Sequence, residues 1–309
     1  MPRISTLATC IWQKLVQPTS PYPLAAFRIA LGFILILNGL LLLPDLGVWF
    51  SQEAVTSLAT ILSIQSPGRL NLFVMFGDSP ATVAAVMAAY LLAAMAFLVG
   101  WRPRIMAAIF FVCLVSLNHR NPLAFTSGDA LLRLLSFFFI FAPSATVWAI
   151  RQEPAPGGRI CPMAFRLMQF QVCLVYFSGF LAKLQGSMWR DGTAVYVVQQ
   201  LSEFERFPLP ALFTTPWVCQ VLTWGTLALE GSFPFLVWFK ETRLPILGAL
   251  VLFHLGIEYS MNIQLFEWTM IVCSLLFLRE EEVRGAVGWV HRRIWPQACR
   301  SKKGLDTRG

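Results

Sequence analysis

The sequence predicts an all-α polytopic membrane protein, a bundle of about eight transmembrane helices with both termini in the cytoplasm. Composition is the first reason. Hydrophobic residues fill 57% of 309 positions, charged residues only 13%, and mean hydropathy is +0.64. A soluble domain carries about a quarter charged residues. The second reason is that the apolar residues come in long continuous runs, not in the period-two alternation of a β-barrel. The third is the placement of lysine and arginine on alternate sides of those runs.

Taken in order, the runs are Leu24–Leu46, Pro80–Gly100, Ile105–Leu117, Asp129–Ile150, Met163–Leu184, Trp217–Phe239, Leu244–Asn262 and Gln264–Leu278. A spanning helix needs about 20 residues and no fewer than about 17. The third and eighth are short and must borrow polar neighbours. Residues 1–23 form an N-terminal cytoplasmic segment, 24–278 the membrane domain, and 279–309 a basic tail. The opening MPRISTLATCIWQKLVQPTSPYP lacks the apolar stretch of a cleaved signal peptide, so the chain is expected to stay whole.

Orientation follows from the basic residues. With the N-terminus inside, the inward segments hold Arg3, Lys14, Arg28, Arg102, Arg104, Arg151, Arg159, Arg166, Lys240, Arg243 and every basic residue from Arg279 on, 18 of the 24. Arg69, Arg120, Arg133, Lys183, Arg190 and Arg206 remain outside. The positive-inside rule favours this arrangement. The net charge of +8 then calls for no nucleic-acid partner. The run VHRRIWPQACRSKKG reads as a basic surface segment beside anionic lipid. The seven cysteines form no CxxC pair, so neither a disulfide framework nor a metal site is expected.

Several ionisable residues interrupt the apolar runs. Lys183 closes the fifth, with Trp189, Arg190 and Asp191 just beyond. It either snorkels to the headgroups, as lysines near helix ends commonly do, or faces a polar cavity as a functional group. The loop after the third run carries His119 and Arg120, then the helix start Thr126–Ser127–Gly128–Asp129. Asp129 and Arg133 are spaced for an ion pair on one helix face. Glu230 lies midway along the sixth run and must be protonated, paired or hydrated. His254, Glu258 and Asn262 follow at four-residue spacing and predict one polar stripe on the seventh helix. Glu230 and His254, deep on consecutive helices, are expected to satisfy each other.

Five stretches carry a family resemblance: FRIALGFILI from Phe27, NHRNPLAFTSGDALLRLLSFFFIFAP from Asn118, FQVCLVYFSGFLAKLQGSMWRDGTAVYVV from Phe170, LTWGTLALEGSFPFLVW from Leu222 and FHLGIEYSMNIQLFEWTM from Phe253. They resemble, in order, the HTTM (horizontally transferred transmembrane) family, the membrane module shared with vitamin K-dependent γ-glutamyl carboxylases. The resemblance implies that Lys183 matches the lysine that deprotonates vitamin K hydroquinone in those enzymes. There, oxygenation yields a strong base, glutamate loses a proton, and carbon dioxide adds to the carbanion. A desolvated lysine gives up its proton readily and leaves a free amine as base. The resemblance also matches His254 to a family histidine of the seventh helix. The family's loop histidine has no counterpart near Gly128, where this chain offers Asp129, with His119 earlier. The carboxylases continue into a lumenal propeptide-binding domain, whereas this chain ends in its basic tail, which puts glutamate carboxylation in doubt.

The resulting expectation is a multi-pass enzyme of the bacterial cytoplasmic (inner) membrane with an outward-opening site. Lys183 and His254 would be catalytic, and a lipophilic quinol the cofactor or substrate. His119, Asp129, Arg133, Trp189, Asp191, Glu230, Glu258 and Asn262 would line the pocket. The alternative is a non-enzymatic membrane factor that helps mature or export a secreted peptide or lipid. Expected partners are membrane lipid and a peptide or small lipophilic substrate. The absence of an inverted repeat disfavours a transporter.

Overall fold

The computed structural model describes residues 16–66 and 68–294, and these are all-helical. The N-terminal segment up to residue 15 and the basic run after residue 294 lie outside the described residues. Among the described residues, β pairing is limited to two isolated bridges, Thr19 with Ile160 and Glu205 with Met261.

The α-helices, in chain order, are α1 (Tyr22–Leu42), α2 (Leu46–Phe50), α3 (Leu58–Ile64), α4 (Leu72–Phe76), α5 (Pro80–Leu98), α6 (Pro103–Arg120) and α7 (Ser127–Phe139). They continue with α8 (Met163–Gln185), α9 (Ser187–Asp191), α10 (Ala194–Val198), α11 (Pro216–Leu236), α12 (Lys240–Ser260), α13 (Phe266–Cys273) and α14 (Glu280–Ile294). Three segments are long and apolar enough to cross a membrane: Tyr22–Phe50, Pro80–Leu98 and Met163–Gln185. Helices α6, α11 and α12 have 18, 21 and 21 residues but carry more polar side chains, including Arg104, Arg120, Glu230, Arg243 and Glu258.

Two runs do not match the expected helices. The fourth was expected to continue to Ile150, but α7 ends at Phe139 after 13 residues. Pro143 lacks the amide hydrogen a continuing helix needs. The following chain is held instead by Arg28, whose guanidinium donates to the carbonyls of Ser144 and Trp148. In the eighth run, α13 has only 8 residues and is extended by a 3-10 turn over Ser274–Phe277.

Helix starts follow their caps. Ser79 accepts from the Thr82 amide at the head of α5, followed by Pro80 with no amide to orphan. Thr126 and Asp129 form a reciprocal capping box on α7. Helix α5 packs against α1 on one side and α6 on the other, and α8 packs along α11. Aromatic residues fasten the first group. Phe97 meets Phe110 at 5.0 Å and Phe139 at 4.9 Å, both edge-on, and Phe139 stacks on Phe27 at 5.5 Å. Such pairs contribute about 0.5–1.5 kcal/mol each beyond their buried area. They hold four helices together and leave α8, α11, α12 and α13 to carry the polar groups.

Candidate functional site

The site is built on one face of α8. Tyr176, Gly179 and Lys183 recur at intervals of three and four, so they stack along one side of the helix. That side meets α11. Lys183 Nζ donates to both oxygens of Glu230, at 2.9 and 2.8 Å. The Glu230 side chain is 9% exposed and that of Lys183 is 26% exposed, so the pair is open on the lysine side only. The Trp189 ring centroid lies 5.3 Å from Nζ, within reach of a cation–π attraction.

Two glycines face this interface. A Cβ on Gly179 would sit 3.5 Å from both Glu230 Oε2 and Lys183 Nζ. One on Gly231 would lie 3.0 Å from the Phe180 ring. Nothing larger than hydrogen stands between the backbone of α8 and the ion pair.

A second polar cluster lies two turns further into α8. The Tyr176 hydroxyl is 2.6 Å from His254 Nε2, and His254 Nδ1 bonds Glu267 Oε2. All three are buried, at 3%, 3% and 1% exposure. The partners assign the tautomer: the phenol donates to Nε2 and Nδ1–H donates to the carboxylate. This makes a directed Tyr–His–Glu chain through α8, α12 and α13. Tyr176 packs its ring on Phe233 at 4.6 Å, one helical turn from Glu230, so the two clusters are neighbours.

This corrects the expected Glu230–His254 pair. Glu230 is satisfied by Lys183, and His254 by Tyr176 and Glu267. An ammonium can meet both carboxylate oxygens at once, while the imidazole has a hydrogen-bond partner on each nitrogen.

The expected stripe of His254, Glu258 and Asn262 stops at Glu258. Helix α12 ends at Ser260, Met261 is extended, and Asn262 is exposed, its backbone amide donating to Phe204 O at 2.7 Å. Glu258 pairs with Arg206 and accepts from Trp268 Nε1 at 2.9 Å. The Arg206 amide also donates to Ser260 O at 3.2 Å. The segment after Gln199 is thereby latched onto the end of α12.

The other expected pocket residues are engaged elsewhere. Asp129 caps α7 and accepts from Asn38 Nδ2 at 3.3 Å, and Asn38 in turn accepts from Tyr90. It does not pair with Arg133, which donates to Asn118 Oδ1 at 3.3 Å. The capping box occupies the carboxylate that the arginine would have used. His119 lies in the last turn of α6 rather than in a loop, and bonds Leu70 O at 2.8 Å. Asp191 is exposed at the end of α9, where its carbonyl accepts from Gln220 Nε2 at 3.5 Å.

Three residues that sequence reasoning did not single out complete these groups: Tyr176, Glu267 and Arg206. Arg120, expected beside His119 in the outward loop, instead ends α6 and is fully buried. It bonds Ser51 O at 2.6 Å and Thr56 O at 3.0 Å, and pairs with Asp78 at 2.9 Å.

The HTTM domain model matches residues 16–281, a stretch containing every group in both clusters. A relative in Bacillus subtilis (strain 168), the uncharacterized protein YitO, is 25% identical over 223 residues, covering 67% of this chain and 70% of the relative. No solved structure matches the chain. With the family's domain running from before α1 into α14, this chain belongs to the HTTM domain family.

Proposed function

We propose that the Lys183–Glu230 pair is the acid–base centre of a membrane enzyme acting on a lipophilic quinol or a similar weakly acidic hydroxyl compound. The observation that carries this reading is the two-point grip of Glu230 on a lysine that stays open on its other side. An ammonium has three hydrogens, and Glu230 engages two. The third is free for a substrate oxygen, beside an indole ring suited to an aromatic ligand.

In a low-dielectric surround the proton can pass from the ammonium to Glu230, leaving an amine beside a carboxylic acid. The amine then takes the substrate's hydroxyl proton and becomes ammonium again, and the substrate leaves as its oxyanion. Glu230 keeps the proton it received until it is passed on. His254, with Tyr176 and Glu267, orders the inner wall behind this step.

The wider reading is a multi-pass protein of the bacterial cytoplasmic membrane, with about eight crossings, cytoplasmic termini and the Lys183 end facing outward. The uneven distribution of basic residues supports it. A second reading, a non-enzymatic factor for a secreted peptide, has one observation in its favour: Phe204, Phe207, Leu212 and Phe213 are exposed on the segment that Arg206 latches.

Mass spectrometry of lipophilic molecules retained after gentle purification separates the two. The enzyme reading expects a quinone carried by the wild type and lost in Lys183→Ala. Co-purification of a peptide with no small molecule would contradict it.

A further inference from the structure

Arg28 lies inside α1 with no surface exposed, and among the described residues it pairs with no carboxylate. It donates instead to Ser144 O at 2.6 Å and Trp148 O at 2.5 Å. An arginine buried this deeply is costly, so its two carbonyl contacts identify the segment it holds as one whose shape matters. That segment runs beside the α5–α6 turn. The Ile150 amide donates to Val99 O at 3.0 Å, and the Glu153 amide to Ala145 O at 2.9 Å. At Gly100, with φ +77°, a Cβ would fall 2.5 Å from that of Ala149 and 2.9 Å from Arg28 Nη1. The two loops are thus fixed against each other with the guanidinium beneath them.

Between them opens a cleft of about 410 Å3, whose walls include Arg102, Arg104, Ile105, Arg151, Gln152 and Glu153. Glu153 pairs with Arg104 at 3.1 Å, which leaves the charges of Arg102 and Arg151 in excess. Arg102 is held in the left-handed region at φ +44°, and its guanidinium sits 5.9 Å from the Trp101 ring centroid. Around the cleft, Trp101 is 45% exposed, Ile105 49% and Ile150 76%. The cleft lies where the apolar helix α5 ends, and therefore at a membrane–water boundary whichever way the chain is oriented.

We propose that this cleft is a binding site for the phosphate of an anionic phospholipid, with the acyl chains lying along Trp101, Ile105 and Ile150. Guanidinium groups grip phosphate oxygens through paired N–H donors. The apolar rim distinguishes a lipid from free phosphate, which would gain nothing from it. The site is independent of Lys183.

The test titrates the full chain in neutral detergent with phosphatidylglycerol and counts bound lipid by native mass spectrometry. The wild type should take up phosphatidylglycerol in preference to phosphatidylcholine. The Arg102→Gln/Arg104→Gln/Arg151→Gln variant should bind it at least about tenfold more weakly. Lys240→Gln/Arg279→Gln/Arg293→Gln, which removes the same charge elsewhere, should bind as the wild type does. Equal loss in both triple variants would reduce the effect to general electrostatics and overturn the site. Displacement of the lipid by millimolar inorganic phosphate would overturn the lipid assignment.

Discussion

The Tyr176 hydroxyl lies 2.6 Å from Nε2 of His254, across the interface between α8 and α12, and both side chains are buried. Among the described residues the phenol is the one partner of that ring nitrogen, and the other nitrogen bonds Glu267. Tyr176→Phe keeps the ring packed on Phe233 but leaves Nε2 unsatisfied. The expected loss is about 1–3 kcal/mol, read from thermal unfolding in detergent. An unchanged stability would mean that the Tyr–His–Glu chain does not form.

The Lys183–Glu230 pair makes its own stability prediction. Glu230→Gln retains one acceptor for the ammonium and should fold. Glu230→Leu leaves a half-buried ammonium without its partner and should lose about 1–3 kcal/mol. Adding Lys183→Met to Glu230→Leu should restore much of that loss, because an apolar pair of similar shape has no charge to desolvate. Additive losses in the double variant would show that the two side chains are not coupled.

How far these groups can be read from the sequence depends on how far apart the partners lie along the chain. Lys183 and Glu230 were each conspicuous, as lone charges in apolar runs. Their pairing spans 47 residues and has no local signature, so the sequence points Glu230 to the nearer His254. In the sequence Tyr176 is one more ring in an aromatic-rich helix. Glu267 lies next to the start of a short helix, where an acid ordinarily means a favourable end charge. The stripe does not continue beyond Glu258 because α12 ends at Ser260, before the next four-residue step. The early end of α7 could have been read from Pro143, but the buried hold of Arg28 on Ser144 and Trp148 could not. The longer apolar runs coincide with helices such as α5 and α8, while the polar partnerships depend on the packing.

The latch over α12 should open when its ion pair is removed. Arg206→Ala deletes the partner of Glu258 and should raise amide hydrogen exchange at Arg206 and Asn262, whose amides donate to Ser260 O and Phe204 O. Exchange in α1 and α5, which the latch does not touch, should stay the same. A uniform rise across the protein would indicate global destabilisation instead.

The proposed orientation can be checked by cysteine labelling, with the native cysteines replaced. The exposed positions Gln152 and Glu203 suit the probes. A cysteine at Gln152 should label only from the cytoplasm, and one at Glu203 only from outside. The opposite pattern would place the Lys183 end in the cytoplasm.

The acid–base role of Lys183 is tested most directly by the ionisation of a bound quinol. Reduced menadione is added without oxygen to the full chain in nanodiscs, and the ultraviolet absorption of its oxyanion is followed with pH. The wild type should bring the oxyanion out at a lower pH than in protein-free nanodiscs. Lys183→Arg keeps the charge but cannot relay a proton, and should form the oxyanion more slowly after mixing than the wild type, as Lys183→Ala should. An arginine variant that matches the wild type would show that Lys183 only supplies charge at this site, and would contradict its assignment as the base.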